Sequence, residues 1–147
     1  MPIVESTVHI NCTPRDVFAF VSDYGRDPTW RSEVISMTYQ TPGPTGVGQL
    51  ALEKSRVFGR RLETISEVIE YEPERKIVSK SISGPTPVIS YRLVTPDDGG
   101  TRFTYRLDVD VSKTWFFRVL RPVLMPLYKR TFEFYLTRLK QILESQG

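Results

Sequence analysis

A single cysteine, Cys12, and a single histidine, His9, stand among 147 residues, and that scarcity removes several kinds of chemistry. One thiol cannot close an internal disulfide, and neither an all-cysteine metal site nor a zinc or iron site needing two or more histidines can be assembled. No metal and no cofactor are expected. A Ser-His-Asp triad would rest on His9 alone, which shares a strand face with Glu5 and Thr7 and is read as a surface residue. Long hydrophobic runs are missing as well. The greasiest stretch, Trp115 to Tyr128, is interrupted by Arg118, Arg121, Pro122 and Pro126 and is shorter than the roughly 20 apolar residues of a membrane-spanning helix.

An excess of one charge is also lacking. The formal net charge is +3, with 20 basic and 17 acidic residues interleaved along the chain, unlike the clustered patch of a nucleic-acid binder, so no nucleic-acid partner is expected. The opening Met-Pro-Ile-Val-Glu-Ser-Thr has neither the basic start nor the apolar stretch of a signal peptide. A cytoplasmic location is the expectation, and the sequon Asn11-Cys12-Thr13 reads as chance. Gly43 to Gly48 is glycine-rich but precedes a strand and lacks the Lys-Ser/Thr of a phosphate-binding loop, so it reads as a turn.

What the chain does hold is an ordinary globular composition, 39% hydrophobic with eight Phe, seven Tyr and two Trp. One domain over residues 1–147 is the expectation from its length. Val4, Ser6, Val8 and Ile10 alternate with Glu5, Thr7 and His9, which predicts a strand over 3–10. Thr13-Pro14-Arg15-Asp16 offers a cap, a first-turn proline and an acid before Val17, Phe18, Phe20 and Val21, so a short helix follows, ended by Gly25. Asp27-Pro28 repeats the cap-and-proline start for a second short helix carrying Trp30.

From there strands predominate: 34–41, 49–58, 60–71, 76–83, 88–95 and 101–111, separated by short turn-forming pieces such as Asp97-Asp98-Gly99-Gly100. After Ser112 the apolar period changes to three and four residues through Leu120, Leu124, Leu127, Phe132, Tyr135, Leu136, Leu139 and Leu143. This predicts a long amphipathic helix, regular from about Pro126 because Pro122 and Pro126 disturb its beginning. A twisted antiparallel sheet of six or seven strands with one long helix to cover its apolar face must curl around that helix, which leaves a concave apolar site.

That order, together with Pro14-Arg15-Asp16-Val17-Phe18-Ala19-Phe20-Val21-Ser22-Asp23 leading to Trp30, Gly46-Val47-Gly48, Glu67-Val68-Ile69-Glu70-Tyr71-Glu72-Pro73, Gly100-Thr101-Arg102-Phe103-Thr104-Tyr105 and Leu139-Lys140-Gln141-Ile142-Leu143-Glu144, resembles the polyketide cyclase/dehydrase and lipid transport family. The resemblance covers essentially the whole chain and implies an α+β helix-grip fold of the START-like, Bet v 1-like superfamily, with a deep hydrophobic pocket. It implies a protein that binds a small hydrophobic molecule, whether lipid, polyketide-like or aromatic, as a carrier or sensor. The same superfamily holds cyclases and dehydratases as well as regulatory or chaperone-associated domains, so catalysis is left open.

The candidate lining residues are Trp30, Arg56, Ser79, Tyr91, Phe103, Tyr105, Phe116, Leu124, Tyr128 and Phe132. Lys54 and Arg56 fall in step with Leu50, Leu52 and Phe58, so they either point inward, where Arg56 would hold a carboxylate, phosphate or enolate oxygen, or turn to solvent. Tyr91 and Tyr105, both on apolar parities, are read either as phenols that orient a ligand or exchange protons, or as core aromatics. Arg118, Arg121, Lys129 and Arg130 beside Trp115, Phe116 and Phe117 form either a solvated helix face or a transient contact with anionic membrane. For the oligomeric state, monomer and homodimer both remain open.

Overall fold

The computed structural model describes residues 3–57, 59–84, 86–110 and 115–146, the first three of the last range in backbone only. Among them, seven strands form one antiparallel sheet: β1 (Ile3–Ile10), β2 (Val34–Tyr39), β3 (Leu50–Val57), β4 (Arg60–Glu72), β5 (Lys76–Ser83), β6 (Val88–Asp97) and β7 (Gly100–Val109). Their spatial order is β1-β7-β6-β5-β4-β3-β2, so the meander runs by hairpins and only β1 leaves its sequence neighbour to pair with β7. The helices are α1 (Pro14–Val21), α2 (Asp27–Trp30) and α3 (Trp115–Ser145). The result is the expected α+β helix grip, a curled half-barrel closed on α3.

The local causes are mostly the predicted ones. Thr13 caps α1 by accepting from the Asp16 N–H at 3.2 Å, and Pro14 takes the first turn, where no N–H is needed. The helix ends at Val21, earlier than Gly25, which instead sits in a 3-10 turn (Tyr24–Arg26) capped by the Asp23 carboxylate. β4 pairs with β5 through two register shifts: one leaves Ile82 of β5 as an extra residue and the other Ile69 of β4, and such bulges bend the paired strands and let the 13-residue β4 follow the curl.

Two expectations need correction. The helix is regular well before Pro126, running from Trp115 through Pro122 and Pro126. Each proline removes one N–H from the ladder, freeing the carbonyls of Arg118 and Pro122, but residues 118–123 are exposed, so the freed carbonyls are not carried into the core. Asp27 does not cap α2: the N-cap is Arg26, without a side-chain bond, because the Asp27 carboxylate is turned into the protein.

The core lies between the inner sheet face and the C-terminal half of α3, where Phe132, Tyr135, Leu136, Leu139 and Leu143 meet Val4, Ile10, Phe103 and Tyr105. Polar ties fasten α3 to the end of β1. Lys140 Nζ donates to the His9 carbonyl at 2.6 Å and to Glu144 at 2.7 Å, and Glu144 accepts from the Asn11 N–H at 2.8 Å. The neighbouring β1–β7 contact is tight at Gly100, where an added Cβ would lie 2.5 Å from the Ile10 carbonyl oxygen and 3.1 Å from His9 Nε2. Gly100→Ala is therefore expected to cost about 1–3 kcal/mol by overpacking. An unchanged urea midpoint would show that β1 gives way freely. Among the described residues no helix is long and apolar enough to cross a membrane.

Candidate functional site

Hairpin geometry decides which side chains meet α3. Asp98 (φ 42°) and Gly99 (φ 81°) both occupy the left-handed region, making the two-residue turn whose twist suits a hairpin. Asp97 therefore pairs with Gly100, and the ladder that follows sets Arg92 against Tyr105 and Tyr91 against Arg106. Directly paired residues share a face. Tyr105 is buried, so Arg92 is carried inside with it to 2% exposure. Tyr91 is placed on the outer face, where the Arg106 guanidinium lies 5.1 Å from its ring centre.

The same logic settles β3. Ala51, Glu53, Ser55 and Val57 face inward, and Leu50, Leu52, Lys54 and Arg56 take the other side. Arg56 is exposed opposite Arg61, so it does not reach an enclosed ligand. Its apparent companionship with Leu50 and Leu52 is real, but the shared face is the outer one, because the inner wall here is built of small and polar residues.

A cavity of about 240 Å³ opens between these inner faces, the segment around α2, and α3. Ser55 of β3, Thr64 and Ser66 of β4, Ser79 and Ser81 of β5 and Ser90 of β6 give it a hydroxyl-rich wall across four adjacent strands, with Val34, Met37, Val57, Leu62, Val88 and Leu107 supplying apolar surface. The lining is mostly apolar in area, as the sequence led one to expect, and its polar part is concentrated in these hydroxyls and in the charged residues below them. Of the candidate residues, Ser79, Tyr105 and Tyr128 line it. Trp30, Phe103 and Phe132 are buried in the packed core beside it, and Leu124 sits half-buried on the exposed half of α3. The side chain of Phe116 lies outside the described residues.

At the floor is a charged cluster that sequence reasoning missed. Arg92 clamps Asp27 through both ends of its guanidinium, Nη1 to Oδ1 at 2.8 Å and Nη2 to Oδ2 at 2.5 Å, and Nη1 also donates to the Val21 carbonyl at 2.8 Å. Arg31 Nη1 bridges Asp27 Oδ2 at 2.9 Å and Glu53 Oε1 at 2.7 Å. Aromatic faces cover Arg92, with Tyr24, Trp30 and Tyr105 ring centres 4.4, 5.2 and 5.5 Å from Cζ. Burial alone would weaken protonation of Arg92, but Asp27 outweighs it and raises the pKa. Arg31 is likewise held charged, burial being overcome chiefly by Glu53.

Three N–H donors around this floor, Trp30 Nε1, Arg31 Nε and Arg92 Nε, are buried without an acceptor among the described residues. The phenols of Tyr24, Tyr128 and Tyr135 are pushed above their ordinary range, first by burial and, for the last two, then by Glu33. They stay protonated at neutral pH and act as donors, not bases. Two guanidiniums, Arg31 and Arg92, face three carboxylates, Asp27, Glu33 and Glu53, so the cationic charge is already matched from within and calls for no anionic ligand. No group of three or more potential metal ligands occurs among the described residues.

The signal for Arg92 was present in the turn: an Asp-Gly pair at a two-residue hairpin makes paired residue numbers sum to an odd value, so Tyr91 and Tyr105 cannot share a face. Asp27 gave no such sign, because an acid before proline at a helix start reads as a cap.

The fold recurs in solved structures. TTHA0849 of Thermus thermophilus superposes with a TM-score of 0.83 at 20% identity, each chain covering 99% of the other. A START superfamily protein from Mycobacterium smegmatis gives 0.82 at 18% identity, again with 99% of both chains. The Zhui aromatase/cyclase from a Streptomyces species gives 0.74 at 14% identity over 97% of this chain and 93% of that one. No curated protein matches the sequence significantly. The family model described as polyketide cyclase/dehydrase and lipid transport matches residues 1–144. With the curled seven-stranded sheet, the gripping helix and a cavity between them, the chain belongs to the polyketide cyclase/dehydrase and lipid transport family.

Proposed function

We propose that the cavity binds a compact, neutral ring molecule, aromatic or polyketide-like, whose carbonyl or phenolic oxygens meet the floor and the hydroxyl wall while its ring surface covers the apolar residues. The observation that carries this reading is a wall of serine and threonine hydroxyls, Ser55, Thr64, Ser66, Ser79, Ser81 and Ser90, set in one cavity with a larger apolar surface. Burying a polar donor without a partner costs about 1–3 kcal/mol, so a ligand offering acceptor oxygens gains where a plain hydrocarbon does not. The volume of about 240 Å³ lies below the roughly 300–1,000 Å³ of sites for drug-sized ligands, which disfavours enclosure of a two-chain lipid. A carrier or sensor role follows, since both cations of the floor are already paired with carboxylates and the raised phenols hold their protons.

The test is a thermal-shift and native mass-spectrometry screen against hydroxylated naphthalenes and anthraquinones, fatty acids, phospholipids and sterols. A ligand at 100 times its Kd stabilises by about 2.7 kcal/mol, a rise of several degrees for a chain of this length. Oxygenated aromatics are expected to give that shift, and Ser79→Leu, which fills the wall's centre, to remove it. If none of the oxygenated aromatics binds, or if phospholipids alone do, the reading is wrong.

A second reading, a cyclase or dehydratase, is favoured by Arg31, Glu33 and Glu53 meeting at the cavity, where a guanidinium would stabilise an enolate and a carboxylate move a proton. Turnover of a poly-β-keto substrate that Glu53→Gln abolishes would establish it. Arg56 and Tyr91, on the outer face, have no place in that chemistry.

A further inference from the structure

Four of the exposed large hydrophobic side chains lie on one short stretch of α3: Val119, Leu120, Val123 and Leu127, between 43% and 68% exposed. Val119, Val123 and Leu127 follow at four-residue steps and so form a stripe along the helix, turned away from the buried stripe of Phe132, Tyr135, Leu136 and Leu139. Residues 115–132 contain Arg118, Arg121, Lys129 and Arg130 and no acid. None of these four cations forms an ion pair among the described residues. The stretch borders the cavity, which Tyr128 of the same helix lines.

An apolar stripe bordered by cations fits few occupants. A second copy of the chain on the same face would set four basic residues against four. Water satisfies the cations but leaves the stripe exposed. An anionic bilayer satisfies both, with the helix lying in the interface plane, its aliphatic side chains among the acyl chains and its cations at the headgroups. We propose that this face docks the protein on negatively charged lipid surfaces, with the cavity held beside the bilayer. The docking does not depend on what the cavity holds.

Flotation of the full chain with phosphatidylcholine vesicles, with and without phosphatidylglycerol, tests this. Capture is expected to be at least roughly tenfold greater on the anionic vesicles and to fall steeply as salt shortens the screening length. Val123→Asp with Leu127→Asp should reduce it by roughly tenfold or more, as should Arg118→Gln with Arg121→Gln, both at unchanged Tm because these positions are exposed. Equal capture on neutral vesicles, or none on either, overturns the proposal. So does a dimer in sedimentation velocity that Val123→Asp with Leu127→Asp dissolves, or heparin binding with no preference for vesicles that the same pair leaves intact.

Discussion

Arg92→Ala is expected to lower the unfolding free energy by about 3–5 kcal/mol, a large part of the stability of an average domain. The cause is the carboxylate left behind. Asp27 is fully buried and accepts both guanidinium ends of Arg92; without them only Arg31 Nη1 remains, and Arg31 is already shared with Glu53. The substitution also strips a cation from between three aromatic faces and leaves the Val21 carbonyl without that donor. Replacing both partners, Asp27→Leu with Arg92→Met, should restore most of the loss, because an apolar pair of similar volume needs no desolvation of charge. Urea denaturation of the two variants measures the difference. If Arg92→Ala unfolds within about 1 kcal/mol of the parent, as an exposed pair would, the cluster does not hold the floor together.

Trp30→Ala is expected to cost about 3–5 kcal/mol by loss of packing and creation of a cavity. Trp30 is 1% exposed and makes edge contacts with Phe103, Tyr105 and Tyr135, at centroid distances of 6.1, 5.5 and 6.5 Å, so it joins α2, β7 and α3. It also covers Arg92 at 5.2 Å, so the variant exposes the ion pair to water as well as hollowing the core. Trp30→Phe keeps most of the ring contact and should retain the fold with a smaller loss. The measurement is the thermal midpoint together with near-ultraviolet circular dichroism. A Trp30→Ala protein as stable as the parent would mean that Trp30 lines open space instead of filling the core.

Much of this architecture was legible because its causes are local or periodic. The alternation through Phe103, Tyr105 and Leu107, the Thr13-Pro14 helix start and the three-and-four spacing from Phe132 to Leu143 each state a secondary structure and a buried face without help from the rest of the chain. The site was less legible, since its wall breaks the rule that buried residues are apolar. Ser55, Ser79 and Arg92 are buried polar residues, and a parity judged by hydrophobicity alone sends Arg92 outward and draws Tyr91 and Arg56 inward. On β3 the leucines Leu50 and Leu52 lie on the outer face, which reverses the inference for every residue between Leu50 and Val57.

The sequence by itself therefore determined the element order, the turn-forming separators between the strands and the helix that the sheet must grip, whereas the register of the last two strands was fixed by the two-residue turn that the structure shows at Asp98-Gly99. The first three depend on backbone preferences and on side-chain periods that neighbouring residues set for one another. Tertiary structure alone decided that Asp27 leaves its helix cap for Arg92, 65 positions away, and that Arg31 joins Glu53 across the cavity. A charge survives inside a protein only where a partner and its hydrogen bonds are held in place, and that partner is supplied by distant elements brought together by the curl of the sheet.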